Sequence, residues 1–314
     1  MSESLRCKEN GIRPNFFIVG AAKSGTTSLA NYLSQHPDIY MPTIKEPKFF
    51  SVSDNTFPHK GRGDSMVDNN VIKERCTYEM LFKPGSGCKA RGEASVDYLY
   101  FPTVAKKIKE YNPESNIIIL LRNPVERAFS AYMHMVRDVR EDLSFEDALE
   151  AEPYRKSMNW EFFWYYSDLG FYSSQVKRYL EHFSRRQVHI ILFESLKENP
   201  LKVIQRIYRL VGVDASFVPD ISIKYNISGV PKKKWLHNII TQPNAIKSSI
   251  KLFFPTSFRR TLSRKLVQAN LSKVEIRHQT KKLLVELYRE DIFNLQKSVH
   301  LDLTHWLNCD QEID

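Results

Sequence analysis

Near the N-terminus of this 314-residue chain, FFIVGAAKSGTTSLA (Phe16–Ala30) runs from an apolar segment into a small-residue turn holding one lysine and three successive hydroxyls. A strand–turn–helix joint of this kind aims backbone N–H groups at one point. The helix N-terminus adds the positive end of a dipole, so the joint cradles an anion. Lys23 supplies a charge that can follow a leaving phosphate. Ser24 and Gly25 carry the chain from the turn into the helix, and Thr26, Thr27 and Ser28 add hydroxyl donors. The nucleotide loop GxxxxGK[ST] sets lysine directly after its second glycine. Here Lys23 precedes Gly25 by two positions and no Gly-Lys pair occurs. The residues alone therefore say "phosphate" and argue against an ATPase arrangement, with a joint carrying incidental polar groups as the plain alternative.

A second site follows from LLRNPVERAFSAY (Leu120–Tyr132). Arg122 falls where an apolar strand ends, the edge at which open α/β sheets bind ligands. Pro124 starts a helix at a favoured first-turn position. Ser130 lies on the same helical side as Arg127, where it can meet an anion gripped by the two-pronged Arg122 guanidinium. Two anion sites on adjacent strand ends imply a nucleotide with two separate phosphate groups.

These loops need strands to hold them. Asn15–Gly20, Asn116–Leu121 and Val188–Phe193 are apolar and β-branched, as strands buried on both faces are, and each leads into a helix-period stretch. Ala90–Ser95 reads as a shorter strand, and Met41–Lys89 as loops and short helices. After Gly212 the strand signal stops, and a helical tail is broken at Pro231, Pro243 and Pro255. The expected architecture is α/β: a P-loop-like central parallel sheet flanked by helices, with a helical C-terminal extension. It forms one domain over 1–314, with a core at 15–235 and the extension at 236–314.

Bulk properties narrow the partners. The chain is 42% hydrophobic with a net charge of +10. Between Ile221 and Lys282 stand fourteen Lys or Arg and one acid, Glu275, a local +13 that leaves −3 elsewhere. Such a segment favours anionic partners, or is simply a solvated basic face. Cys7, Cys76, Cys88 and Cys309 form no CxxC pair and no zinc-like spacing, so a reduced chain without metal is expected. No apolar leader or membrane-length run is present, which suggests a cytoplasmic protein.

In order and rough spacing, FFIVGAAKSGTTSLANYLSQHPDIYMPTIKEPKFF, IILLRNPVERAFSAYMH, LGFYSSQVKRYLEHF, ILFESLKENP and NISGVPKKKW resemble sulfotransferases that use 3′-phosphoadenosine 5′-phosphosulfate (PAPS). The resemblance covers about residues 15–235. It implies that Lys23, Ser24, Gly25, Thr26, Thr27 and Ser28 hold the 5′-phosphosulfate and that Arg122 and Ser130 hold the 3′-phosphate. It further implies that Lys232, Lys233 and Lys234 close a loop over the nucleotide. Lysine then leaves the ATPase position because the transferable group sits directly on the 5′-phosphate, with no β/γ pair to clamp.

By analogy with phosphoryl transfer, catalysis would rest on positioning and charge stabilisation, Lys23 neutralising the bridging oxygen. Glu46 in KEPKFF matches the catalytic carboxylate of heparan-type relatives, while its lysine neighbours also allow a surface ion pair. His134 is the competing base, since imidazole has the better unperturbed pKa. Glu93 and Asp97 are third candidates. Ala94 stands where heparan-type enzymes commonly have lysine, which weakens the case for a sulfated glycan acceptor. Phe49, Phe50, Trp160, Phe162, Phe163, Trp164, Tyr165 and Tyr166 are candidates for lining an acceptor pocket or packing the core, whereas Gly170 and Tyr172 read as structural. The expected acceptor is a small metabolite or natural product carrying a hydroxyl or nitrogen. A hydroxyacyl chain on an acidic carrier protein and a glycan are the alternatives. A P-loop kinase or NTPase is disfavoured because the candidate strands end in Arg122 and Glu194. A nucleic-acid-binding protein is disfavoured because no RRM, KH or zinc pattern accompanies the basic segment. The intact anion loops disfavour an inactive sulfotransferase-like binding protein.

Overall fold

The computed structural model describes residues 11–222, 230–231, 271–272 and 274–309. Strands β1 (Phe16–Gly20), β2 (Ile39–Tyr40), β3 (Ala90–Ala94), β4 (Asn116–Leu121) and β5 (Val188–Leu192) form one sheet in the order β2-β3-β1-β4-β5. Every pairing in it is parallel. The chain steps from β1 outward to β2 and back through β3, then crosses to β4 and β5. The strand order therefore reverses at β1, and the crevice beyond the carboxyl ends of β1 and β4 is the place where such sheets bind ligands.

Both faces are covered, which explains why the strands read as unbroken apolar runs rather than alternating ones. Phe17 and Val19 of β1, with Ile117, Ile119 and Leu121 of β4, enter one core; Phe16, Ile18, Ile118 and Leu120 enter the other. Helices α1 (Thr26–Leu33) and α5 (Pro200–Leu210) cover the second face through Leu29, Leu33, Ile204, Ile207 and Tyr208. The first face takes α2 (Val104–Tyr111), α3 (Pro124–Arg137), α4 (Tyr172–His182) and α6 (His278–Val299). Each fully buried Val, Ile, Leu or Phe contributes roughly 1.5–3 kcal/mol, so the buried residues of β1 and β4 anchor the two loops that follow them.

The C-terminal helix is built into the main core. Leu284, Tyr288, Ile292 and Leu295 of α6 are buried against it. Asp291 accepts from the Ser173 backbone N–H. Beyond α6, Asn123 Nδ2 donates to the Trp306 carbonyl at 3.3 Å, and Trp306 Nε1 donates to Glu194 Oε1 at 3.2 Å. A Cβ on Gly170 would lie 2.7 Å from the Tyr288 ring, so glycine lets α6 approach this closely.

Several expectations need correction. Phe193 starts the helix Phe193–Glu198 instead of ending β5, and β2 carried no recognisable strand signal. A two-residue antiparallel ladder, Val230–Pro231 with Leu271–Ser272, lies in the tail after Gly212, where no strand is expected. Cys88 and Cys309 are free, but Cys76 is disulfide-bonded, with its partner outside the described residues. The reduced-chain expectation fails there because cysteine spacing does not reveal pairing.

Candidate active site

The phosphate loop lies at the sheet's switch point. Ala21 N–H donates to the Leu120 carbonyl and Ser24 N–H to Ala21, which folds the turn back between β1 and β4. Gly25 is the N-cap of α1 at φ 89°, and a Cβ there would stand 3.1 Å from Phe193 and Leu196. Glycine therefore satisfies both the left-handed backbone and the close packing. No side chain caps α1, and its first turn carries no acid. The N–H groups of that turn are thus left for an external acceptor.

Lys23 lies in the same turn, also left-handed at φ 68°. Among the described residues no partner engages its ammonium. Burial pushes its pKa down to about 7, with Arg137, Arg122 and Lys45 lowering it further and Asp138 opposing them. An anion in the cradle would reverse that balance.

Lys23, Gly25, Thr26 and Thr27 line a cavity of about 540 Å³ that also reaches Glu46 and His134. The cavity thus joins the lysine with both leading base candidates. Ser24, Ser28, Arg122 and Ser130 are not part of its wall. Glu46 sits in a fixed turn. Its backbone N–H donates to Ala94 at 3.2 Å, and it and Lys48 both have left-handed backbones. The Glu46 carboxylate pairs with Lys45 Nζ at 3.0 Å, and the same ammonium donates to Thr27 Oγ1 at 2.6 Å.

His134 reaches the cavity from α3 in a state unsuited to a base. Arg137 Nη2 donates to its Nδ1 at 2.6 Å. Arginine only donates, so Nδ1 presents its lone pair and the ring proton sits on Nε2. Nε2 stands 3.6 Å from Asp138. Burial, then the charges of Lys23, Arg137, Arg140 and Lys45, drives its pKa far down. The neutral ring has its only lone pair capped.

Arg122 lies beside the phosphate loop, its Nη1 3.4 Å from the Lys23 carbonyl. Its guanidinium pairs with Glu126 at 3.1 Å and stacks 4.7 Å from the Phe193 ring centre. Tyr172 donates to the Arg122 carbonyl at 3.0 Å, bracing the strand end. Ser130 is buried on α3, as is Arg127. Lys232, Lys233 and Lys234 lie outside the described residues.

Glu93 and Asp97 are structural rather than catalytic in placement. Glu93 accepts from Ser95 Oγ at 2.6 Å and from Tyr78 at 3.0 Å, and burial lifts its pKa to about 8. Asp97 accepts from Ser51 Oγ, and burial lifts it to about 6. Neither lines the cavity. For the aromatic run the core alternative holds for most: Phe162, Trp164, Tyr165 and Tyr166 are buried in the core, and only Phe163 of the eight aromatics reaches the cavity wall.

In their place stand residues that the sequence did not flag. Lys48 Nζ donates to Glu161 Oε1 at 2.8 Å, and Arg140 is held by Asp64 and by the Arg62 carbonyl. Asn70 and Asp138 add polar groups to the wall, and Met66, Val67, Val96 and Phe163 give it apolar surface. These residues come from separate segments, so no local spacing announces them. The charged pattern just past His134 (Arg137, Asp138, Arg140) was the one available hint.

A family model for the sulfotransferase domain matches residues 13–259. The crystal structure of a sulfotransferase from Alicyclobacillus acidocaldarius is 38% identical and overlays with a TM-score of 0.77. It covers 94% of this chain and 99% of that one. The human bifunctional heparan sulfate N-deacetylase/N-sulfotransferase 3 is 28% identical over 210 residues, 64% of this chain and 22% of the relative. The mouse enzyme 4 of that name is 29% identical over 217 residues, with 64% and 22% covered. The chain thus spans 22% of the length of these curated relatives. With a family match over most of its length and a near-complete overlay on a solved relative, the chain belongs to the sulfotransferase family, whose members draw the sulfuryl group from PAPS.

Proposed function

We propose that this protein, as a single domain over 1–314, transfers the sulfuryl group of PAPS to a hydroxyl or nitrogen of a small, polar metabolite or natural product. The observation that carries this reading is the cavity in which Lys23, lacking a partner among the described residues, and the uncapped start of α1 face Glu46. The residues fit the donor: the cradle offers N–H groups, hydroxyls and a cation with no acid in the first helical turn. Arg122, one strand away, takes the 3′-phosphate with Ser130 in this reading, exchanging its Glu126 contact for it. Lys232, Lys233 and Lys234 are assigned the covering loop.

PAPS supplies a sulfuryl group whose bond to the bridging oxygen breaks as the acceptor's bond to sulfur forms. Lys23 donates to that oxygen as its negative charge grows, and Thr26 and Thr27 orient the phosphate. Glu46 takes the acceptor's proton, leaving adenosine 3′,5′-bisphosphate as the other product. His134, with its lone pair capped by Arg137, does not accept that proton.

The wall also speaks to the acceptor. Asn70, Asp138, Arg140 and Glu161 suit hydroxyl or amino groups of an acceptor, and Met66, Val67, Val96 and Phe163 suit its apolar parts. No helix among the described residues is long and apolar enough to cross a membrane. A cytoplasmic location would keep cysteines reduced, whereas the Cys76 disulfide fits an oxidising compartment. Thiol labelling of Cys76 in freshly lysed cells decides that point.

Thermal shift tests the donor site. Adenosine 3′,5′-bisphosphate should raise the melting temperature by mass action, and ATP and adenosine 5′-monophosphate, which lack the 3′-phosphate, should do so far less. Equal shifts with all three would remove the Arg122–Ser130 assignment.

A further inference from the structure

The cavity wall holds four cations, Lys23, Lys45, Lys48 and Arg140. Two are committed elsewhere: Lys48 to Glu161 at 2.8 Å, and Arg140 to Asp64 and the Arg62 carbonyl. Lys23 belongs to the cradle. Lys45 alone among these four bridges the two halves of the site, donating to Thr27 Oγ1 at 2.6 Å and pairing with Glu46 Oε1 at 3.0 Å.

Its surroundings let it move while its partners stay. The Lys45 side chain is 42% exposed. The backbone beside it is fixed: Glu46 N–H binds Ala94, Ile72 N–H binds the Pro47 carbonyl, and Lys48 N–H binds Ser95 Oγ. An ammonium on a flexible stem between a carboxylate and an anion cradle goes to the stronger negative charge. With the cradle empty that charge is Glu46; with a phosphosulfate in place it is the donor.

We propose that Lys45 is shared between PAPS and Glu46, so that donor binding draws its ammonium off the Glu46 carboxylate and frees that carboxylate for the acceptor. This rests on the PAPS reading of the cradle. It makes the base available only after the donor has arrived, and it predicts an energetic link between Glu46 and nucleotide affinity that runs through Lys45.

A double-mutant cycle read by PAPS titration calorimetry tests the link without acceptor or turnover. Glu46→Gln removes the carboxylate that competes for Lys45 and should tighten PAPS binding by about 3- to 10-fold, in the lower part of the coupling expected for contacting groups. Lys45→Met should weaken binding, and in that background Glu46→Gln should gain less than about 2-fold. Lys45→Arg, which keeps the charge, should restore the coupling. If Glu46→Gln tightens binding equally in both backgrounds, the carboxylate merely repels the donor and the Lys45 inference is overturned. A wild-type protein that does not bind PAPS would overturn the donor reading and this inference together, an outcome distinct from binding without coupling.

Discussion

Lys23 gives a prediction whose size follows from the structure. Burial and the neighbouring Arg137, Arg122 and Lys45 bring its pKa to about 7 from an ordinary 10.5. In the nucleotide-free protein at pH 8 roughly nine-tenths of Lys23 is therefore neutral. A bound phosphosulfate or 5′-phosphate favours the ammonium, so binding at pH 8 should take up roughly 0.9 proton. Affinity should then fall as pH rises above 7, by about eight-fold between pH 7.5 and 8.5. His134 adds nothing in that window, since burial and the surrounding cations keep it neutral. The assay is titration calorimetry with adenosine 3′,5′-bisphosphate in buffers of different ionisation enthalpy, the heat difference reporting protons taken up. Lys23→Met should bind more weakly and lose both the proton uptake and the pH slope. Uptake near zero at pH 8, or equal slopes in the wild type and Lys23→Met, would refute the argument that an anion recharges this lysine.

Other expectations follow from the same geometry. Arg122→Ala should weaken adenosine 3′,5′-bisphosphate binding by ~1.5–3 kcal/mol, whereas Glu126→Gln, which frees the guanidinium from its partner, should strengthen it; calorimetry reads both. Glu46→Gln should lower turnover by roughly 10²–10⁴, while His134→Asn stays within about ten-fold of wild type. Steady-state kinetics showing the opposite ranking would move the base to His134. Glu93, with its pKa lifted to about 8 by burial, keeps a proton that the unfolded chain loses near 4.5. Its folded-state pKa is raised, so its contribution to stability falls as pH rises from about 4.5 to 8. Urea unfolding of Glu93→Gln should show that part of the pH slope removed.

What the sequence disclosed depended on whether the signal was local. β4 was legible to the residue, because NIIILL is buried on both faces and a polar Arg-Asn-Pro ends it. The end of β5 was missed because Phe193 continues the apolar run while its ring packs under Arg122 and beside Gly25, at the start of a helix. β2 is two residues long, too short to set a period. The cradle was legible because glycine, lysine and hydroxyls fall within nine residues, and the cavity brings Lys23, Thr26 and Thr27 to Glu46 and His134. The rest of the wall was not. Lys48 meets Glu161 across 113 positions, and Arg140 meets Asp64 across 76. The aromatic run left two readings open because composition does not say which rings face a cavity; most pack in the core, leaving one of them, Phe163, for the cavity.

In the proposed reaction the cradle delivers a sulfuryl group to an acceptor poised at Glu46. Its most direct measurement is transfer of labelled sulfur from PAPS to a panel of polar alcohols, amines and sugars, followed by chromatography and compared among wild type, Lys23→Ala and Glu46→Gln. A labelled product is expected with at least one polar acceptor. Its rate should drop by about 10²–10³ in Lys23→Ala under saturating PAPS, the loss expected for one transition-state donor, and fall as steeply in Glu46→Gln. Undiminished transfer by Lys23→Ala and Glu46→Gln, or label passing to the panel with no dependence on either residue, would contradict it.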